Sequence, residues 1–137
     1  MIRAVLDTNV VVSALLSPQG ASALILDLAM TQYFRCFVSA PLLEEYGEVL
    51  GRAQFGLDER KTARIMGRFR KAAILATPSK KLRITTDPDD NKVMECALEA
   101  RADFVVTGNI RHFPPRFQDI RVIAPRQFLT VLASSSA

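Results

Sequence analysis

The chain alternates short apolar runs with longer segments in which apolar residues recur at helical spacing. Apolar runs typical of buried strands occur at residues 2–6, 35–39, 82–85, 104–107 and 121–124. Helices are predicted at 9–16, 21–30, from Pro41 onward, and at 58–75, 88–101 and 125–132, several of them starting at a proline or an aspartate. Strands that alternate with helices predict an α/β fold with a mostly parallel sheet.

Size and composition favour one domain over residues 1–137, of which only the Ser-Ser-Ser-Ala end at 134–137 is expected to fray. With 49% hydrophobic residues the chain can bury a substantial core. No apolar stretch approaches the roughly 20 residues that span a bilayer, so we expect a cytoplasmic protein without membrane contact. The two cysteines, Cys36 and Cys96, lack metal-type spacing and are expected to be small buried hydrophobic residues.

Charge is distributed unevenly along the chain. Residues 52–83 hold ten basic and two acidic side chains, a balance of +8, while the remainder holds eight basic and twelve acidic ones, a balance of −4. Within the basic segment, Arg60, Arg64, Arg68 and Lys71 fall on one face of a predicted helix. This face is either an ordinary solvated surface or a binding surface for the phosphates of a polyanion.

Three acidic residues lie at boundaries between predicted elements. Asp7 follows the first strand, Glu45 opens the helix after Pro41, and Asp90 lies in the polar run at 87–91 before another helix. Strand ends and helix starts converge on one site in α/β proteins. Carboxylates gathered there repel one another unless a cation neutralises them, and Mg²⁺ prefers such oxygen ligands. Because a bound metal can activate water and stabilise charge on a phosphate, this pattern indicates phosphodiester chemistry.

Each acid also has a structural explanation. Asp7 could cap the next helix, and Glu45 could be an acid favoured by the helix dipole. In the run at 87–91, Asp87 or Asp89 is expected to serve as a turn or cap residue. The single histidine, His112, has no partner in a nucleophile-elbow pattern, so serine–histidine chemistry is not expected.

Four segments in order, 6–10, 39–45, 89–97 and 105–109, resemble the PIN-domain family, and in particular its toxin components of toxin–antitoxin systems. The resemblance implies a three-layer α/β/α sandwich with a central parallel sheet of about five strands in the order 3-2-1-4-5. It also implies a Mg²⁺- or Mn²⁺-dependent endoribonuclease, a hydrolase of phosphodiester bonds. Transferred onto this sequence, the family's catalytic and metal-binding acids fall on Asp7, Glu45 and Asp90.

The same resemblance assigns supporting roles to Asn9 and Thr107. The family often has a fourth acid where this chain has Asn109, which can offer a carbonyl oxygen but no charge. We therefore expect one firmly bound ion and a second that needs the substrate phosphate. If the strands preceding Asp7 and Asn109 are neighbours at the point where strand order reverses, these two residues face each other across the crevice.

The resemblance further implies RNA as substrate, an antitoxin protein as partner and a homodimer, for which the helix at 21–30 is a candidate contact. Arg111 is expected to contact the substrate, because it lies closer to the presumed metal than the basic helix does. One alternative is a PIN-like module that binds RNA or protein without turnover. A receiver domain is not expected, because it would have a lysine after the fifth strand. A dehalogenase-type phosphatase is not expected either, because it would have an acid where Asn9 stands.

Overall fold

The computed structural model describes residues 1–135, which form an α/β fold around one six-stranded sheet. The strands are β1 Arg3–Leu6, β2 Arg35–Val38, β3 Ile74–Leu75, β4 Phe104–Val106, β5 Arg116–Phe117 and β6 Ile120–Ile123. The helices are α1 Thr8–Leu16, α2 Ala21–Met30, α3 Ala40–Leu50, α4 Glu59–Ala72, α5 Pro88–Ala100 and α6 Pro125–Ser135. Short 3-10 turns occur at Ala53–Phe55 and Ile110–His112.

The central strand β1 pairs in parallel with both β2 and β4, and the order across the sheet is β3-β2-β1-β4-β6-β5. Ala4, Val5 and Leu6 are all 0% exposed, and β4 is likewise buried at each position. Because successive side chains point to opposite faces, burial at every position means that helices cover both faces of the sheet. The predicted α/β fold with a mostly parallel sheet is confirmed, with six strands instead of five.

The third strand was predicted wrongly. Residues 82–85 are not a strand but part of an irregular segment, in which the Leu82 amide donates to the Glu95 carboxylate (2.8 Å). The third strand is instead β3, which lies inside the predicted helix at 58–75 and pairs with β2. Helical spacing continued past Ala72, but the open edge of β2 needs hydrogen-bond partners, and tertiary pairing overrode local propensity.

The sheet also contains a strand that the sequence pattern did not predict. β5 forms an antiparallel hairpin with β6, and Gln118 in the two-residue connection has φ 52°. Glycine or asparagine is usual in that left-handed conformation, so the ordinary turn signal was missing. Of the four residues expected to fray, Ser134 and Ser135 belong to α6, and residues 136–137 lie outside the described residues.

Within residues 1–135, no single helix is long and apolar enough to cross a bilayer; only α1 and α2 taken together, bent by 105°, reach that length and composition. Both cysteines are buried and free, as predicted. Asp58 caps α4 by accepting from the Lys61 amide (3.0 Å), also as predicted. The face of α4 that packs inward is narrow, because Phe69 is its one fully buried residue.

Tyr46 on α3 connects the helical layer to the end of β1. The ring is 0% exposed and its hydroxyl donates to the backbone carbonyl of Leu6, the residue immediately before Asp7. A buried carbonyl without a donor costs about 1–3 kcal/mol. The Tyr46 hydroxyl therefore stabilises the strand end on which the acidic residues converge.

Tyr46→Phe should lower the free energy of unfolding by about 1–3 kcal/mol, because it leaves the Leu6 carbonyl unpaired in the core. Urea denaturation followed by circular dichroism measures the change. Tyr33→Phe is the matched control, because Tyr33 is 47% exposed and should shift stability by less than about 0.5 kcal/mol. Equal effects of the two substitutions would contradict this role for Tyr46.

Candidate active site

The predicted acids line one open cleft of about 540 Å³ at the carboxyl ends of the central strands. The backbone bond from the Asp7 amide to the Val106 carbonyl (2.9 Å) extends the β1–β4 ladder by one residue. This bond places Asp7 beside the end of β4, at the point where strand order reverses, which is where ligands bind in open α/β sheets. The acidic, amide and imidazole side chains that line the cleft are Asp7, Asn9, Glu45, Asp87, Asp89, Asp90, Asn109 and His112.

Asp7 is held by donors on both of its carboxylate oxygens. Oδ1 accepts from the Thr8 amide (2.8 Å), so Asp7 does cap α1, and Oδ2 accepts from the Thr107 hydroxyl (2.8 Å) and the Asn9 amide group (3.1 Å). The side chain of Asn9 also accepts from the Gly108 amide (2.9 Å), which ties the start of α1 to the end of β4. Asn9 and Thr107 thus fix the orientation of a carboxylate that is only 5% exposed.

Glu45 approaches from α3. It lies in the second turn of that helix, so attraction to the helix N-terminus does not explain its presence. Its Oε2 accepts from the Thr8 hydroxyl, whereas its Oε1 is buried and has no hydrogen-bond partner within the described residues. A buried carboxylate oxygen without a donor is costly, and a cation or an ordered water would satisfy it.

The first turn of α5 contributes three further acids. Asp87 is the N-cap and accepts from the Asp89 amide (2.9 Å), which confirms the structural role expected of one acid in this run. Asn91 orients this turn, because its carbonyl oxygen accepts from both the amide and the hydroxyl of Thr85 (2.9 Å each). Asp90, whose side chain is 13% exposed, then projects into the cleft.

Asp89, the other acid considered for that structural role, has a carboxyl that interacts with Glu45. Burial, followed by the neighbouring Asp89 carboxyl, raises the pKa of Glu45 to about 7. The pKa of Asp89 is lowered, mainly by its contact with the Lys92 ammonium (3.0 Å). The Lys92 ammonium therefore stabilises the ionised form of Asp89, whose negative charge in turn opposes ionisation of Glu45.

Burial also raises the pKa values of the other two predicted acids. Desolvation raises the pKa of Asp7, and this effect exceeds the opposing effect of its hydrogen bonds to Thr107, Thr8 and Asn9. Burial, and then the negative charges of Asp7 and Asp87, raise the pKa of Asp90 to about 6. Acids that share a cleft and have raised pKa values are typical of functional sites that bind positive charge.

The loop after β4 places Asn109 at the cleft, as predicted, whereas Arg111 does not line the cleft. The cleft-lining side chain after Asn109 is His112, whose Nδ1 lies 3.7 Å from Asp90 Oδ2. The 3-10 turn at Ile110–His112 explains this outcome, because residues three apart share one side of such a turn. The basic residue that lines the cleft is Arg52, which also pairs with Glu48 (3.0 Å).

Metal binding can be judged from the donors present. Among residues 1–135 no three histidine, cysteine or acidic side chains lie close enough together to ligate one ion directly. Mg²⁺ typically uses one or two carboxylates and keeps several waters, so a cleft of this kind fits that ion. Asp7, Asp90 and the unpartnered Oε1 of Glu45 are the oxygen donors best suited to hold it.

Comparisons with known proteins agree with this architecture. The PIN domain family model matches residues 3–111. The uncharacterized protein MJ1680 of Methanocaldococcus jannaschii is 32% identical over 112 residues, which cover 79% of this chain and 71% of that protein. The fold is similar to a chain in the crystal structure of VapBC2 from Rickettsia felis bound to a DNA fragment from their promoter, with a TM-score of 0.59, 18% identity, and 90% and 98% of the two chains covered.

The match runs from β1 through β4 and ends inside the 3-10 turn, one residue before His112. It also includes Asp7, Glu45 and Asp90, which were selected from the sequence by their places at strand and helix ends. The protein belongs to the PIN-domain family.

Proposed function

We propose that this protein is a Mg²⁺- or Mn²⁺-dependent endoribonuclease that acts in the cytoplasm as the toxin of a toxin–antitoxin pair. Asp7, Glu45 and Asp90 would hold the metal, at least one of them through its bound water, and catalyse hydrolysis, and Asn9, Thr107 and Asn109 support them. The observation that carries the proposal is the combination of a fixed, buried Asp7 with the unpartnered Oε1 of Glu45 in a cleft of acids. Carboxylate oxygens gathered at the carboxyl ends of parallel strands repel one another, and a bound cation would relieve this repulsion.

Each residue has a distinct part in this reaction. The bound metal would supply water activation and stabilise charge on the phosphate. Thr107, Thr8 and Asn9 keep both oxygens of Asp7 in one orientation, so that carboxylate need not reorganise during the reaction. Asn91 holds the turn that carries Asp90, and Glu45 can retain or release a proton near neutral pH.

The RNA substrate would enter along an edge that carries positive charge as well as acids. Arg52 lies at the cleft and can face a phosphate, whereas Arg111 keeps only the weaker role of an outer contact. Arg60, Arg64, Arg68 and Lys71 are exposed on α4 but do not line the cleft. They are suited to distant, salt-sensitive attraction of a polyanion rather than to chemistry.

The toxin assignment includes two protein partners. An antitoxin would inhibit by covering the acidic cleft and inserting a basic side chain among Asp7, Glu45 and Asp90, since within the described residues none of these carboxylates forms an ion pair with a lysine or an arginine. The similarity to a VapBC2 chain supports a partner of this type through the fold alone. A homodimer is proposed to form through α2, where Leu24 is 49% exposed.

One observation favours a second candidate, a PIN-like module that binds RNA or protein without turnover. Asn109 carries no charge, and a missing carboxylate weakens binding of a second ion. The two candidates differ in one measurable respect. An enzyme cleaves RNA when Mn²⁺ is added, whereas a binding module retains intact RNA under the same conditions.

Asp7→Asn should reduce Mn²⁺-dependent cleavage of mixed RNA by at least about a hundredfold, because it removes charge at the centre of the metal site. Gel analysis of labelled RNA with Mn²⁺ or with a chelator measures the effect. Asp119→Asn is the matched control, since Asp119 is exposed and does not line the cleft. Equal cleavage by wild type and Asp7→Asn would indicate contamination, and RNA binding without cleavage would favour the module.

The raised pKa values predict a pH-dependent stability of the metal-free protein. An acid whose pKa is higher in the folded state stabilises the fold at low pH, and this contribution is lost as pH rises through its folded value. Those values are about 6 for Asp90 and about 7 for Glu45. Thermal melts in chelator should therefore show a falling Tm between pH 5 and pH 8, and Mn²⁺ should restore the Tm at pH 8.

Asp90→Asn tests this electrostatic explanation. In chelator at pH 8 it should raise the Tm by a few degrees, because it removes a carboxylate that burial and neighbouring charges destabilise. At pH 5, where Asp90 is mostly protonated in the folded state, the increase in Tm should be clearly smaller than at pH 8. Asp119→Asn should change neither value, and a Tm that rises from pH 5 to pH 8 in the metal-free wild type would refute the explanation.

A further inference from the structure

We propose that His112 is a nitrogen ligand of the cation bound in the cleft and takes the place of the acid that is missing at position 109. This inference rests on the proposed metal-dependent function, which it makes more specific. His112 was set aside in the sequence because no serine–histidine pattern accompanies it. Its position in the fold gives it a different chemical role.

The turn after β4 places the side chains of Asn109 and His112 on the same side, facing the cleft. The His112 amide donates to the Asn109 carbonyl (3.0 Å), which closes one 3-10 turn over Ile110–His112. Side chains at positions i and i+3 of such a turn are eclipsed, so residues 109 and 112 lie on the same side. Both line the cleft, whereas Arg111, one residue earlier, does not.

His112 lies close enough to Asp90 that a small movement of its side chain would make the two residues ligands of one ion. Ligand atoms about 2.1 Å from an octahedral ion lie about 3 Å apart when adjacent and about 4.2 Å apart when opposite. The separation of His112 Nδ1 and Asp90 Oδ2 is 3.7 Å, so the imidazole ring must approach Asp90 by about 0.7 Å for the two atoms to become adjacent ligands. The His112 side chain is 59% exposed, so the ring can adjust to an ion without disturbing the core.

A nitrogen ligand would alter which metal the site prefers. Imidazole binds later transition ions such as Co²⁺ and Ni²⁺ better than it binds Mg²⁺, for which carboxylate and water oxygens suffice. If His112 only paired electrostatically with Asp90, its removal would affect Co²⁺ and Mg²⁺ binding to a similar extent. The metal preference therefore separates coordination from simple charge pairing.

The test is pulsed electron paramagnetic resonance of Mn²⁺ bound to the full chain without a purification tag. Because His112 is the chain's single histidine, imidazole ¹⁴N coupling to Mn²⁺ can be assigned to it directly. We expect this coupling in the wild type and in the neighbouring control Arg111→Ala, and its loss in His112→Ala. By calorimetry, His112→Ala should weaken Co²⁺ binding by at least about tenfold and Mg²⁺ binding by clearly less.

Asp7→Asn separates failure of this inference from failure of the proposed function. If Mn²⁺ binds the wild type and Asp7→Asn abolishes binding, but no ¹⁴N coupling is seen, the inference is overturned and the metal site stands. If Mn²⁺ fails to bind the wild type, or binds Asp7→Asn equally well, both are overturned. Far-ultraviolet circular dichroism should confirm that His112→Ala folds, as expected for an exposed side chain.

Discussion

The structure depends on keeping a carboxylate buried where the two central strands end. Asp7 is 5% exposed, and three donors hold its oxygens in place. Those donors come from α1 and from the end of β4, so the register between β1 and β4 determines the geometry of the site. Further acids from α3 and α5 face the same space, and burial raises the pKa values of Glu45 and Asp90. The fold thus accepts an electrostatic cost that a bound cation would offset.

Much of this arrangement could be predicted from the sequence, because buried parallel strands leave strong apolar runs and helix starts carry recognisable caps. Their positions made Asp7, Glu45 and Asp90 candidates, since the ends of such strands converge, and the family resemblance assigned them catalytic and metal-binding roles. The third strand could not be predicted, because Ile74 and Leu75 pair with β2 for tertiary reasons while their local pattern continues a helix. Pairing across the sheet is not encoded in local periodicity.

Two side chains at the site face directions that the sequence pattern did not indicate. Asp89 looked like a turn residue, yet the first turn of α5 directs it toward Glu45, with Lys92 holding its charge. Arg111 was expected near the substrate because of its charge, but the 3-10 turn presents His112 instead. A three-residue spacing from Asn109 to His112 was the available signal, and it becomes informative only once that turn is known. The family resemblance pointed to the three acids but did not indicate that Asp89 and His112 also face the cleft.

A crystal soaked in Mn²⁺ and measured for anomalous scattering tests the central claim most directly, namely that the cleft holds a divalent cation. The account predicts an anomalous peak at coordination distance, about 2.1 Å, from a carboxylate oxygen of Asp7, with Glu45 or Asp90 as a further ligand, directly or through water. Saturating Mn²⁺ that produces no peak in the cleft, or a peak only at some other surface of the protein, would contradict it.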